Sequence, residues 1–288
     1  MTSNTFAKWS RLGLGTGTLA SVGRGTTAAH VHNLLSSMQE IGVTVIDTAD
    51  SYTSGRCENL LGQALIGRRD DFVVVTKAGY RYGDLPTPLH PLNPFIKKLH
   101  QKLSGGQCHT PKYLTHSLNR SLQRLNLDHV DAFLLHDPAL AAVEDATVQS
   151  SLQSLQKAGK TVHLGVSSDD PLVLAAAIDA GCFSIIQSPA NPTTVARLTP
   201  IWEQASRQGI HRMANHVFFS GHGTSPLLLT GMSAHECLMR FIGTRFGDGT
   251  ILVGTRNPSH LQESAAWADA PLSPEQCLTV EKHFSVTR

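Results

Sequence analysis

The chain has 288 residues, with 24 Lys plus Arg against 22 Asp plus Glu and a formal net charge of +2. So even a balance, without a basic run, gives no footing for nucleic acid or an anionic membrane, and no apolar run approaches the ~18 residues of a membrane span. Five scattered cysteines (Cys57, Cys108, Cys182, Cys237, Cys277) without a CxxC pair argue against a disulfide framework and suit reduced thiols in a cytoplasm. The polar opening Met1-Thr2-Ser3-Asn4-Thr5 lacks a charged-then-apolar signal pattern, so a soluble cytoplasmic protein is expected.

In chain order, short apolar runs alternate with longer amphipathic stretches. Run 12–15 precedes a helical face of Val31, Leu34, Leu35, Met38 and Ile41, and run 43–46 precedes a helix carrying Leu60, Leu61, Ala64 and Leu65. Run 72–75 leads, after a long insertion, to a helix with Leu114, Leu118, Leu122 and Leu125; run 130–135 precedes one with Val148, Leu152 and Leu155. The later runs are 162–166, 183–186, 210–219 and 251–253, with helical stretches near 171–180, 194–208, 233–246 and 258–268. Runs that are apolar on both faces, each followed by a helix, predict a parallel sheet covered by helices. Eight such units predict an α/β fold, one (β/α)₈ TIM barrel spanning 1–288, rather than an open doubly wound sheet. The stretch 78–109 breaks the short-loop pattern. It holds Pro86, Pro88, Pro91, Pro94 and Gly105-Gly106, cannot be one regular element, and is expected to be a lid or disordered insert after strand three.

What ends each run carries the chemistry. Strand two ends in Asp47, strand three in Lys77, strand four in His136, strand five in Ser167-Ser168 and strand six in Gln187. Strand seven passes through Asn215 and His216, and strand eight reaches Gly254-Thr255-Arg256. In a barrel these positions meet at the C-terminal face, where active sites of this fold lie. Taken singly, each has a structural reading: an Asp that caps a turn, a solvated Lys, a His bonded to backbone, a packed Tyr at position 52. One rim that holds Asp47, Tyr52, Lys77 and His136 together is a catalytic arrangement.

The stretch Ile46-Asp47-Thr48-Ala49-Asp50-Ser51-Tyr52, followed by Gly55-Arg56-Cys57-Glu58-Asn59-Leu60-Leu61-Gly62, resembles the signature of the aldo-keto reductase superfamily. So do Val75-Thr76-Lys77-Ala78-Gly79, Leu134-Leu135-His136-Asp137-Pro138, Gly165-Val166-Ser167, Gln187-Ser188-Pro189-Ala190-Asn191-Pro192 and Gly254-Thr255-Arg256, in family order. The resemblance implies reduction of an aldehyde or ketone, or the reverse oxidation, with Asp47, Tyr52, Lys77 and His136 matching the family's catalytic tetrad. It also implies a nicotinamide cofactor across the rim, its carboxamide held by Ser167, Ser168 and Gln187, with Asn215 where the family usually has an aromatic. The Gly- and Ser-rich loop 218–228 is expected to cradle pyrophosphate, and Gly254, Thr255, Arg256, His260 and Glu263 to hold the adenosine end. Arg256 favours NADPH over NADH, because a planar guanidinium matches a phosphate. Ser168, Asn215, His260 and Ser264 depart from the common family pattern, and all four concern the cofactor rather than the tetrad.

The residue types suit the chemistry. Carbonyl reduction needs hydride at carbon and a proton at oxygen, and an ordinary tyrosine, pKa ~10, is a weak acid near neutrality. A neighbouring ammonium, Lys77, is expected to lower that pKa and stabilise oxyanion charge, with Asp47 holding Lys77 and His136 orienting the carbonyl. No metal is required. Tyr80, Tyr82 and Phe95 in the long loop are expected to wall the pocket of a small-molecule carbonyl substrate. Gly13-x-Gly15-x-Gly17 lacks the full dinucleotide fingerprint, and His30-Val31-His32 falls in a helix rather than at a strand end. Two other readings stay open at this level: a lyase forming a Schiff base on Lys77, and a non-catalytic barrel that binds or senses NADPH.

Overall fold

A computed structural model describes residues 5–20, 26–82, 106–218, 229 and 231–285. Strands β1 (Leu12–Gly15), β2 (Val45–Asp47), β3 (Val73–Ala78), β4 (Val130–His136), β5 (Thr161–Ser167), β6 (Ile185–Pro189), β7 (His211–Asn215) and β8 (Thr250–Val253) pair in sequence order. All neighbours are parallel, and β1 closes on β8 through Leu12↔Ile251 and Leu14↔Val253. Around them lie α1 (Ala28–Glu40), α2 (Arg56–Ala64), α3 (Pro111–Leu125), α4 (Leu140–Glu144) and α5 (Ala146–Lys157). The ring continues with α6 (Pro171–Asp179), α7 (Val195–Arg207), α8 (Ala234–Phe246), α9 (Pro258–Ala268) and α10 (Pro274–Ser285). This is the (β/α)₈ barrel that the two-sided apolar runs predict.

The alternation of side chains along each strand divides the core in two. Val45, Val73, Val75, Ala132, Leu134, Ile185, Met213 and Leu252 fill the barrel interior. Their neighbours Ile46, Val74, Phe133, Leu135 and Ile186 point outward to the apolar faces of the helices. Gly165 lets the interior close: a Cβ there would lie 2.4 Å from Leu134 Cδ2 and 2.6 Å from the Ile185 carbonyl oxygen. At the N-terminal end, the Phe6 ring stacks on both His163 (4.5 Å) and His211 (4.7 Å), with Trp9 edge-on to His211.

Several boundaries differ from those read in the sequence. The run 210–219 yields a strand only over His211–Asn215, because His216 turns into the left-handed region at φ 48° and ends the ladder. The strand within 43–46 starts at Val45: the Thr44 N–H and hydroxyl go to Ser10 Oγ and the Lys8 carbonyl, and only its carbonyl joins β3, accepting from Val73 N–H. The short α4 and the C-terminal α10 are additional. α10 starts with a reciprocal cap, Gln276 N–H donating to Ser273 Oγ and Ser273 N–H to Gln276 Oε1. Of the long segment after β3, the two ends are described: Tyr80 bridges Gln107 antiparallel, and Cys108 N–H donates to the Gly79 carbonyl at 2.7 Å. Pro86, Pro88, Pro91, Pro94, Phe95 and Gly105 lie outside the described residues. No helix among the described residues is long and apolar enough to cross a membrane.

Candidate functional site

The C-terminal halves of the strands bring Asp47, Lys77, His136, Ser167, Gln187 and Asn215 onto one rim, all but mid-strand Gln187 at or next to the end of their strands. Tyr52 arrives by a strained turn. Thr53, Ser54 and Gly55 take φ of 49°, 53° and 81° in succession before α2 begins at Arg56. Left-handed residues without glycine's freedom persist only where surroundings impose them. Here a buried pair does so: Arg124 Nε donates to Glu58 Oε2 at 2.7 Å, and Thr76 Oγ1 donates to Glu58 Oε1 at 2.6 Å. Arg124 packs so closely on Gly55 that a Cβ there would be 2.7 Å from its Cδ. Neighbouring Asp50 is buried; that burial, then the Glu58 carboxylate, pushes its carboxyl well above the usual range.

At the centre, Lys77 Nζ donates to Asp47 Oδ2 at 2.7 Å and to the Thr48 carbonyl at 2.8 Å, with side-chain exposures of 1% and 5% for the Lys77–Asp47 pair. The same ammonium lies 5.2 Å from the centre of the Tyr52 ring. The His136 ring stands edge-on between Tyr52 (6.0 Å) and Tyr80 (4.9 Å). Burial alone would lower the Lys77 pKa, but Asp47 and then Tyr52 outweigh it and the ammonium is held above its ordinary value.

For Tyr52 the sign is opposite to the one expected from the sequence. Burial pushes the hydroxyl above the ordinary tyrosine value, and the Lys77 charge that pulls it down offsets only part of this. In this arrangement the Tyr52 hydroxyl holds its proton more firmly than an exposed tyrosine does, with the Lys77 ammonium beside it opposing that shift.

Gln187 extends the network across the barrel mouth. Its Nε2 donates to Asp47 Oδ1 at 2.9 Å, while its Oε1 accepts from Ser167 Oγ at 2.8 Å and Asn215 Nδ2 at 3.3 Å. Asp47 thus has one oxygen on Lys77 and the other on Gln187. Ser168 is buried, and its hydroxyl accepts from the Asp170 N–H at 3.1 Å at the start of the β5–α6 turn. Asn215 Oδ1 is buried with no hydrogen-bond partner among the described residues, an acceptor facing the rim without a donor.

Beyond β8, Gly254, Thr255, His260 and Glu263 line a cavity of about 230 Å³ together with Ser264 and Trp267. Arg256 is not among its lining residues; its carbonyl oxygen meets His30 Nε2 of α1 at 3.0 Å. The residues expected to wall a substrate pocket separate. Tyr80 stays at the rim, its hydroxyl donating to Asp137 Oδ2 at 2.5 Å. The Tyr82 ring instead lies 5.9 Å from the Arg124 guanidinium, toward α2 and α3, and Phe95 falls outside the described residues.

Two rim residues, His109 and Asp137, have no role assigned from the sequence. His109 brings its Nε2 to 3.1 Å from the His136 carbonyl oxygen, tying the returning end of the long segment to β4. Asp137, at φ 47°, receives the Tyr80 hydroxyl, while His216, expected at the end of strand seven, stands exposed just past β7. The position of Asp137 directly after a strand end was the available signal for it; nothing local marks His109.

The family model described as the aldo/keto reductase family matches residues 11–221. The chain is similar to the uncharacterized oxidoreductase YqkF of Bacillus subtilis, 30% identical over 158 residues, a match that covers 54% of this chain and 45% of that protein. Against that relative the chain thus aligns over about half the length. It is 25% identical to the pyridoxine 4-dehydrogenase of Escherichia coli over 98% of both chains. Among solved structures, an aldo/keto reductase from Klebsiella pneumoniae in complex with NADP and acetate superposes with a TM-score of 0.73 at 20% identity, covering 96% of this chain and 92% of that one. At that identity the likeness speaks for the fold, and the family match over most of the sequence speaks for descent. The chain belongs to the aldo/keto reductase family.

Proposed function

We propose that this protein reduces an aldehyde or ketone to an alcohol, or runs the reverse oxidation, at the rim around Tyr52, in the cytoplasm. The observation that carries the reading is the buried Lys77–Asp47 pair set against the Tyr52 ring, with His136 edge-on to it. Tyr52 gives its proton to the oxygen of the carbonyl as charge develops there. A hydroxyl whose pKa is raised by burial keeps that proton until a stronger base, the nascent alkoxide, takes it. Lys77 then faces the tyrosinate at short range in a dry site, where an ammonium stabilises oxyanion charge far better than water-exposed lysine does. Asp47 keeps Lys77 charged and aimed, and Gln187 fixes Asp47. His136 hydrogen-bonds the carbonyl oxygen and orients the substrate.

When bound, a reduced nicotinamide cofactor supplies the hydride. The residues present fit such a group: Asn215 Oδ1 is a buried acceptor that lacks a donor, and Ser167, Ser168 and Gln187 lie beside it. Gly254, Thr255, Arg256, His260 and Glu263 would hold the adenosine end, with the Arg256 guanidinium matched to a 2′-phosphate, so NADPH is proposed ahead of NADH. The NADP held by the Klebsiella pneumoniae neighbour is in keeping with this choice.

The test is NADPH and NADH binding by fluorescence titration, followed by cofactor oxidation across a panel of aldehydes and ketones. Tighter NADPH binding with carbonyl-dependent oxidation is expected. Tight binding with no turnover over the whole panel would sink the reductase in favour of a sensing barrel. A Schiff-base lyase needs a neutral amine, and the charge held on Lys77 by Asp47 opposes it. Borohydride trapping of substrate on Lys77 would reverse that judgement.

A further inference from the structure

We infer that Asp137 makes the site selective for neutral, hydroxylated carbonyl compounds, by accepting a hydrogen bond from a substrate hydroxyl next to the reacting carbon. The inference rests on the proposed reductase reading of the Tyr52 rim. Asp137 follows His136 directly, and its left-handed backbone (φ 47°) ends the strand while its N–H stays bonded to the Ser167 carbonyl at 2.8 Å. Its carboxylate is therefore held at the mouth by the same two strands that carry His136 and Ser167. Tyr80 shows which way it faces: one aromatic ring stands edge-on to His136 at 4.9 Å and delivers its hydroxyl to Asp137 Oδ2 at 2.5 Å. A carbonyl compound placed between Tyr52 and His136 has Tyr80 and Asp137 as its outer wall.

That wall is polar, where an aromatic pocket was expected from Tyr80, Tyr82 and Phe95. With Tyr82 turned to Arg124, the described part of the wall offers the Tyr80 ring edge and a half-buried carboxylate. Tyr80 satisfies one oxygen, and among the described residues no hydrogen bond reaches Oδ1 of Asp137. No described cation lies within ion-pair distance of Asp137 or of exposed Asp169 beside it; Arg197 reaches only the Asp169 backbone carbonyl, at 2.7 Å. A carboxylate that is half withdrawn from water gains most from a donor that replaces the lost solvent, and a substrate hydroxyl is such a donor. The same carboxylate repels an anionic substrate, and an aldehyde lacking the hydroxyl leaves it unfilled.

The experiment compares kcat/KM for D-glyceraldehyde, propanal, succinic semialdehyde and betaine aldehyde in wild type, Asp137→Ala and Asp137→Asn. Wild type is expected to favour glyceraldehyde over propanal by about tenfold or more, the worth of one hydrogen bond to a charged group. Asp137→Ala should cut that ratio about tenfold and raise the relative rate of succinic semialdehyde. Asp137→Asn, which keeps shape and an acceptor but no charge, should cut the ratio about threefold, and it carries the test if the Ala variant does not fold. A ratio that stays within twofold of wild type in both variants overturns the inference. So does a preference for betaine aldehyde over glyceraldehyde that both variants abolish, since the carboxylate would then be reading a cation. Wild-type protein that turns over none of the four, nor any carbonyl of the wider panel, overturns the reductase reading and this one with it. Turnover with an unchanged ratio overturns this one alone.

Discussion

The two ends of the barrel solve the problem of buried polar groups in opposite ways. At the C-terminal mouth an ammonium and a carboxylate lie almost wholly out of water, Lys77 and Asp47 keeping each other charged through a 2.7 Å contact that Gln187 extends. At the N-terminal end two stacked histidines, His163 and His211, are pushed toward their neutral forms by burial instead. Phe6 stacks on both rings, Ser184 Oγ and Thr250 Oγ1 meet their nitrogens at 3.1 Å, and His211 is pushed down to about 4 by burial and then by His163 and Arg212. The mouth holds a charged pair out of water, whereas the stacked imidazoles at the other end pack in their neutral form. Chemistry and closure of the barrel should then separate cleanly by mutation.

The largest effect is expected at the mouth. Lys77→Met leaves Asp47 buried without its counter-charge, so carbonyl reduction should fall by roughly 10²–10⁴ and stability by about 3–5 kcal/mol. Steady-state rates and urea unfolding would measure both, and turnover within tenfold of wild type would break the idea of a charge-driven mouth. At the opposite end the effect should appear with acid. His211 has its pKa lowered in the folded state from 6.5 to about 4. The unfolded chain therefore binds the proton first, and the stability this histidine contributes is complete above pH 6.5 and lost as pH falls through 4. That amounts to roughly 3 kcal/mol at most. Unfolding midpoints for wild type and His211→Gln at pH 7 and pH 4.5 should show a smaller drop in the variant; equal drops would contradict the neutral-ring description. Asp50 works in the other direction as pH falls, so the difference between the two proteins is the quantity to read.

Phe6→Ala should cost about 2–3 kcal/mol, below the value for a full core Phe because the ring is half-buried, and leave kcat within twofold. A folded Phe6→Ala protein that had lost turnover would join the two ends rather than separate them. The smallest change sharpens the mouth itself. Gln187→Ala frees one oxygen of Asp47, with about 1–2 kcal/mol lost and kcat/KM down about tenfold, whereas an effect as large as that of Lys77→Met would make Gln187 an equal member of the charge network.

The barrel was legible because its strands are apolar on both faces, a pattern that half-exposed sheets do not show, and because polar residues stop each run at the rim. Asp47, Lys77 and His136 could be placed from that alone, and Tyr52 from its motif. The element boundaries that differ have local causes: His216 in a left-handed conformation cuts β7 short, and a reciprocal Ser273–Gln276 cap starts α10. The sign of the Tyr52 shift was not legible at all, since it depends on how much burial opposes one nearby ammonium. Nor was the Gln187–Asp47 bond, which joins residues 140 positions apart across the mouth. The separation of Tyr80 from Tyr82 has the same origin: two residues apart in sequence, one is bound to Asp137 and the other lies over Arg124.

The most direct test of the mouth is the Tyr52→Phe variant, studied by single-turnover reduction of an aldehyde with NADPH binding titrated in parallel. With Tyr52 as the acid, NADPH should bind within threefold of wild type while the reduction step slows by roughly 10²–10⁴. Reduction at the wild-type rate by a folded, NADPH-bound Tyr52→Phe protein would contradict that assignment and move the proton source elsewhere on the rim.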